Sequence, residues 1–138
     1  MSSPTLTGGC GCGAVRFAID APLVAAAYCH CTRCQHRTGT AAQASGRLAP
    51  GSLRLLSGAE DVGRWDAGSG LVKDFCRRCG SAVFAEDRDS GEILVVRLGA
   101  IDGDPGVRPQ ARQFVADAAA WEPIPDDGLP RHDGRLPA

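Results

Sequence analysis

Seven cysteines in 138 residues constrain this chain more than anything else in it, because an odd number cannot be closed by disulfides within one chain. They fall into three tight groups: Cys10-Gly11-Cys12-Gly13, Cys29-His30-Cys31-Thr32-Arg33-Cys34, and Cys76-Arg77-Arg78-Cys79-Gly80. In an extended segment, residues two apart share a face, so Cys10 with Cys12, and Cys29 with Cys31, can grip one ion. Cys76-x-x-Cys79-Gly80 has the spacing of a zinc knuckle, where a tight turn gathers two sulfurs and the glycine takes a positive φ after the second. A structural zinc site uses four protein ligands, and a catalytic one uses three and keeps a position open. Seven divides naturally into Cys10, Cys12, Cys76 and Cys79 as the closed set and Cys29, Cys31 and Cys34 as the open one. The closed set would tie the start of the chain to its second half. Three other readings of the thiols stay open at this level: small buried hydrophobes, an iron–sulfur or rubredoxin-like iron site, and a redox relay.

The rest of the composition narrows the class. With 43% hydrophobic and 22% charged residues, the chain can bury a core and is read as one domain, residues 1–138. Eighteen glycines and nine prolines favour short strands and loops over long helices. Strands are expected over residues 14–19, 53–56, 70–75, 81–85 and 93–98, separated by turn-rich stretches such as Asp66-Ala67-Gly68-Ser69-Gly70. One helical turn is expected at 32–37, and residues 123–138, with four prolines, read as an extended strap. This is a mainly β, antiparallel pattern.

Fifteen Lys and Arg stand against 16 Asp and Glu, and Lys73 is the only lysine. The cations are scattered from Arg16 to Arg135 with no basic run longer than Arg77-Arg78, which leaves no footprint for nucleic acid or an anionic membrane. The opening residues have neither a charged start nor an apolar stretch. The longest apolar run, residues 21–29, is too short to span a bilayer. A soluble, cytoplasmic protein is expected, in a compartment that keeps thiols reduced and favours metal binding over disulfides. Pairing into a homodimer stays open.

Beyond the cysteines, Leu98-Gly99-Ala100-Ile101-Asp102, Pro109-Gln110-Ala111, Trp121 and Pro125-Asp126-Asp127-Gly128-Leu129-Pro130 complete a pattern. With the three cysteine groups it resembles the glutathione-dependent formaldehyde-activating enzyme family, which also contains centromere protein V, over about residues 7–133. The resemblance implies a β-tent fold of small antiparallel sheets with two zinc ions. Cys10, Cys12, Cys76 and Cys79 match the family's structural ligands, and Cys29, Cys31 and Cys34 match its catalytic ones. It also implies a carbon–sulfur lyase activity run in the synthetic sense, joining formaldehyde to glutathione to give S-(hydroxymethyl)glutathione. The chain departs from the family's usual pattern at Arg112, where a histidine is common, and at Asp117-Ala118-Ala119-Ala120, where Ser-Lys-Ala-Pro is common.

The chemistry of three thiolates supports the same direction. They donate strongly and weaken zinc as a Lewis acid, so hydrolysis is less natural there than engaging a thiol, which zinc deprotonates near neutral pH. The expected partner is a small thiol such as glutathione, or its carbonyl adduct. A cluster of only three cysteines can also stand partly empty. Arg33, Arg37 and Thr38 are candidates for meeting a substrate carboxylate, and His36 for acid–base work. His30 is expected to face away from the metal, His132 to be exposed, and Trp65 and Trp121 to pack in core or wall. The competing functional readings are a zinc-stabilised binding module without catalysis and a thiol redox sensor.

Overall fold

The computed structural model describes residues 4–137. Met1–Ser3, which belong to the opening read above as having neither a charged start nor an apolar stretch, and Ala138, the last residue of the strap, lie outside it. Ten strands and one α-helix run in chain order: β1 (Leu6–Gly9), β2 (Arg16–Ile19), β3 (Ala25–Cys29), α1 (Thr32–Thr38), β4 (Gln43–Arg47), β5 (Leu53–Ser57), β6 (Val62–Asp66), β7 (Leu71–Cys76), β8 (Ala82–Asp87), β9 (Ile93–Arg97) and β10 (Arg112–Gln113). They form a three-stranded sheet, β1-β2-β5, and a seven-stranded sheet, β10-β3-β4-β9-β8-β7-β6. All pairings are antiparallel except the short β10–β3 pair. The mainly β expectation holds. The five expected strands correspond to β2, β5, β7, β8 and β9, and the helix extends one residue beyond the expected end.

Alternation along the strands divides the large sheet into two faces. On β7 the burial alternates, so that Val72, Asp74 and Cys76 are buried while Leu71, Lys73 and Phe75 are less so. The core forms where the inward residues of the two sheets meet. Phe17 from the small sheet packs edge-on against Phe84 from the large one, with ring centroids 6.2 Å apart at 85°, a favoured aromatic geometry. Val15, Ile19, Val83, Val96 and Ile101 surround them, and Cys10 and Cys76 belong to the same cluster. Gly8 is required by this packing: a Cβ there would lie 2.3 Å from the Ala100 carbonyl oxygen and 2.6 Å from the Phe17 ring.

The opposite face of the large sheet is concave. Register shifts between Asp74 and Phe75 and between Ala85 and Glu86 mark bulges, which add local twist and bend. The C-terminal segment runs beside β10. The Arg112 amide donates to the Pro130 carbonyl, the His132 amide to that of Arg112, and the Val115 amide to that of His132. His132 is therefore half-buried rather than exposed. Trp121, expected to pack, is 67% exposed.

Phe84 is fully enclosed at the contact between the sheets. Phe84→Ala should cost about 3–5 kcal/mol of unfolding free energy in urea titrations, and a loss below about 1 kcal/mol would mean that the sheets do not depend on this contact.

Candidate metal centres and cavity

The first cysteine group is a tight loop between β1 and β2. The Cys10 amide donates to the Val15 carbonyl (3.0 Å), the Gly13 amide to the Cys10 carbonyl (3.2 Å), and the Val15 amide to Cys10 Sγ (3.2 Å). The third group closes the β7–β8 hairpin. There the Gly80 amide donates to the Cys76 carbonyl (2.8 Å), and Gly80 has φ of 78°, the left-handed conformation its position after Cys79 predicts. The two loops interlock through Ser81. The Gly11 amide donates to its hydroxyl at 2.9 Å, and that hydroxyl lies 3.1 Å from Cys79 Sγ.

Their sulfurs converge. Cys10, Cys12, Cys76 and Cys79 bring four Sγ atoms within 4.8 Å of one another. Four thiolates around a tetrahedral ion at about 2.3 Å stand about 3.8 Å apart. The Cys10–Cys12 and Cys12–Cys76 separations are 3.6 and 3.8 Å, far from the roughly 2.05 Å of a disulfide. The donor set fits a tetrahedral, thiophilic metal ion. The Ser81 hydroxyl, first among several donors, holds the Cys79 thiol down to about 5, so it is ready to ligate as thiolate.

Cys29, Cys31 and Cys34 form the second convergence, again within 4.8 Å. Cys29 ends β3. Cys31 caps α1 in extended backbone (φ −63°, ψ 151°), its Sγ accepting from the Cys34 amide at 3.3 Å. Cys34, in the first turn, accepts from Gln43 Nε2 of β4 at 3.6 Å. The Cys34 thiol donates to Cys29, which lowers Cys29 to about 5 and pushes Cys34 up. All seven cysteines are free, and the four-plus-three division appears in space as two separate clusters.

The three-cysteine cluster opens into a cavity of about 700 Å³, a size suited to a small ligand. Its floor is the concave face of the large sheet. Cys29 lies opposite Gln43, Ala27 opposite Ser45 and Ala25 opposite Arg47, while Ser45 is in turn opposite Arg97, so every second residue of β3, β4 and β9 faces the space. Arg33 and Arg37 of α1 enter from one side, Lys73 and Trp65 from β7 and β6, and Gln113, Phe114, Arg135 and Leu136 from β10 and the strap. Among the expected candidates, Arg33 and Arg37 do reach the lining, and Trp65 forms wall. Thr38 does not: its hydroxyl donates to the Cys34 carbonyl within the helix at 2.7 Å. His36 is exposed on α1, outside the lining.

His30 points away from the cluster, as its place between two ligands predicts, but it is buried. Arg112 Nη1 lies 3.2 Å from its Nε2. Burial first, then Arg112, holds the imidazole below its ordinary pKa. The same guanidinium lies 4.3 Å over the Tyr28 ring and pairs with Asp127 at 2.7 Å. Arg112 is thus a hub behind the cavity wall, joining β3, β10 and the strap. Gln43, Ser45, Arg47, Lys73, Arg97 and Arg135 were not singled out from sequence. The polar alternation Gln43-x-Ser45-x-Arg47 was the available signal.

The family model for the glutathione-dependent formaldehyde-activating enzyme matches residues 5–117. The chain belongs to this family. A Halomonas elongata protein carrying the family's name is 31% identical over 105 residues, covering 72% of this chain and 67% of its own. The crystal structure of a Rhodobacter sphaeroides protein superposes with a TM-score of 0.56 at 27% identity, over 91% of this chain and 98% of that one. The family match ends at residue 117, yet Arg135, Leu136 and Pro137 complete the cavity wall.

Two outcomes test this construction. Cys76→Ser should lose the folded circular-dichroism signature, because a structural metal contributes directly to folding, whereas Cys34→Ser should stay folded with about one metal ion fewer per chain. Equal damage from both would break the division. Asp127→Ala should speed amide exchange over residues 130–136 by releasing Arg112, with the Phe17–Phe84 core still protected; unchanged exchange would show that the strap is held without this pair.

Proposed function

We propose that the chain is a zinc-dependent carbon–sulfur lyase-type enzyme of the cytoplasm that joins a small thiol to a carbonyl compound, glutathione and formaldehyde being the pair suggested by the family. The observation that carries this reading is an incomplete ligand set, Cys29, Cys31 and Cys34, placed at the wall of a ligand-sized cavity. Zinc bound there supplies an open coordination position at which a thiol is deprotonated near neutral pH or a carbonyl is polarised. Zinc in the four-cysteine cluster is structural.

The chain's own residues do the rest. The Cys34 amide and Gln43 Nε2 donate to the cluster's sulfurs, at Cys31 and Cys34, and fix their orientation, as outer hydrogen bonds do at metal centres. Arg33 and Arg37 flank the cluster and can hold a substrate anion while the thiol reaches the sulfurs. Phe114 and Leu136 cover the opposite side and limit water. In the addition, the sulfur–carbon bond forms as the carbonyl π bond breaks, and the thiol's proton ends on the carbonyl oxygen. His36, exposed and remote from the lining, has no proton to move in this scheme.

Cobalt substitution provides the test. A small thiol added to the cobalt-loaded protein should shift the sulfur-to-metal charge-transfer band, and Cys34→Ser should abolish the shift. A spectrum indifferent to every thiol tried, glutathione and 2-mercaptoethanol included, would end the reading.

A further inference from the structure

Thirteen of the chain's 15 cations are sorted by location, Arg77 and Arg131 being neither ion-paired among the described residues nor on the cavity lining. Among the described residues, ion pairs are made by Arg16, Arg54, Arg64, Arg78, Arg88, Arg108 and Arg112, and none of these lines the cavity. Arg33, Arg37, Arg47, Lys73, Arg97 and Arg135 do line it, with no aspartate or glutamate among the lining residues. In a chain of net charge −1, six unpaired cations around one space are not a consequence of composition.

Two of these are costly to leave alone. Arg97 is only 7% exposed. It gives one hydrogen bond, from Nη1 to Ser45 Oγ at 2.8 Å, while its Nε and Nη2 are buried without a partner. Nε and Nη2 of Arg37 are buried without a partner as well. A buried guanidinium normally finds a carboxylate or carbonyl, because an unmatched buried charge is strongly unfavourable. Burial holds Lys73, Arg37 and Arg97 below their ordinary values, with repulsion from neighbouring arginines adding to it for Lys73 and Arg97, Arg97 at about 10. Asp74 acts on Arg37 and Arg97 only from a distance, since it alternates with Lys73 on β7 and forms an ion pair with neither arginine. The three thiolates with a divalent ion would carry one net negative charge, too little to balance six cations.

We propose that this cavity takes a small polyanion, bearing two or more carboxylate or phosphate groups and no free ammonium. The inference rests on the thiol–carbonyl reading in one respect: under it, the thiol substrate is the molecule that carries these groups. Arg37 and Arg97, both on the cavity lining, supply positive charge for one oxyanion beside the three-cysteine cluster. Lys73, Arg47 and Arg135 lie farther along the sheet and strap for a second. Among the described lining residues there is no carboxylate to receive a ligand ammonium, while six cations would repel it. Unmodified glutathione, with two carboxylates and an ammonium, is on this basis a poorer fit than the same molecule with its amine blocked.

Isothermal titration of the full-length, zinc-loaded protein tests this. N-acetylglutathione should bind about tenfold more tightly than glutathione, and its affinity should fall with added salt. Tricarballylate or pyrophosphate, which carry no thiol, should bind and compete, and their order of affinity identifies the preferred oxyanion. Lys73→Gln and Arg47→Gln should each weaken these anions severalfold while keeping the folded circular-dichroism spectrum. Glutathione binding as well as or better than its acetylated form, or no binding of either thiol-free anion, overturns the proposal. The two readings separate cleanly. Anion binding with no thiol response in the cobalt spectrum removes the thiol–carbonyl reading and leaves the polyanion site, whereas a thiol response without anion preference does the reverse.

Discussion

The convergence of two loops 64 residues apart on one set of four sulfurs is the constraint on which the rest of the structure depends. A small β protein with short strands has modest local order, and each strand needs a partner distant in sequence. The loop between β1 and β2 belongs to the small sheet, and the β7–β8 hairpin to the large one. Bringing Cys10 and Cys12 to Cys76 and Cys79 therefore sets one sheet against the other at one end. The contact of Phe17 with Phe84 continues that closure into the core, and Cys10 and Cys76 are members of both. A metal held by these four sulfurs would stabilise the same interface that apolar burial does.

The large sheet gains its second role from that arrangement. Once one face is buried against the small sheet, period-two alternation turns the other outward, and the bulges curve it. Cys29, Gln43, Ser45, Arg47, Val95, Arg97 and Lys73 then share a concave floor although they come from four strands. The helix contributes Cys34 and the arginines Arg33 and Arg37 from above. The three-cysteine cluster at the edge of such a floor has the polar side chains of the strands at fixed positions beside it, because strands position side chains more rigidly than loops do.

The clusters were legible because metal chemistry demands particular residues at particular spacings, and Cys-x-Cys or Cys-x-x-Cys-Gly carries that demand within a few residues. Strand β9, rich in β-branched residues, was legible for similarly local reasons. Strands β3, β4 and β6 were less so. Ala25-Ala26-Ala27 is a poor strand signal, and Gly46 and Gly63 sit where Cβ atoms would meet Leu23 and Phe75, so pairing across the sheet fixes these segments. The basic cavity was invisible for a different reason. Its six cations are spread from Arg33 to Arg135 in the chain, and only the register of the sheet and the path of the strap gather them. A charge pattern read along the sequence dismisses as scattered what the fold concentrates.

That difference changes where the chain's departures from its family matter. Arg112 stands where a histidine is common, and a guanidinium beside a metal site suggests altered substrate contacts. Yet Arg112 is outside the cavity lining, committed to Asp127, Tyr28 and His30. Asp117-Ala118-Ala119-Ala120 is likewise outside it, with the Asp117 carbonyl accepting from Gln35. Both departures bear on how β10 and the strap are held, and so on the cavity only through Gln113, Phe114 and Arg135. The cations that line the cavity are different ones, Arg37 and Arg97 among them. On the polyanion reading, specificity is written on the sheet floor, in the charges next to the thiolates, and the substitution at position 112 serves the wall behind them.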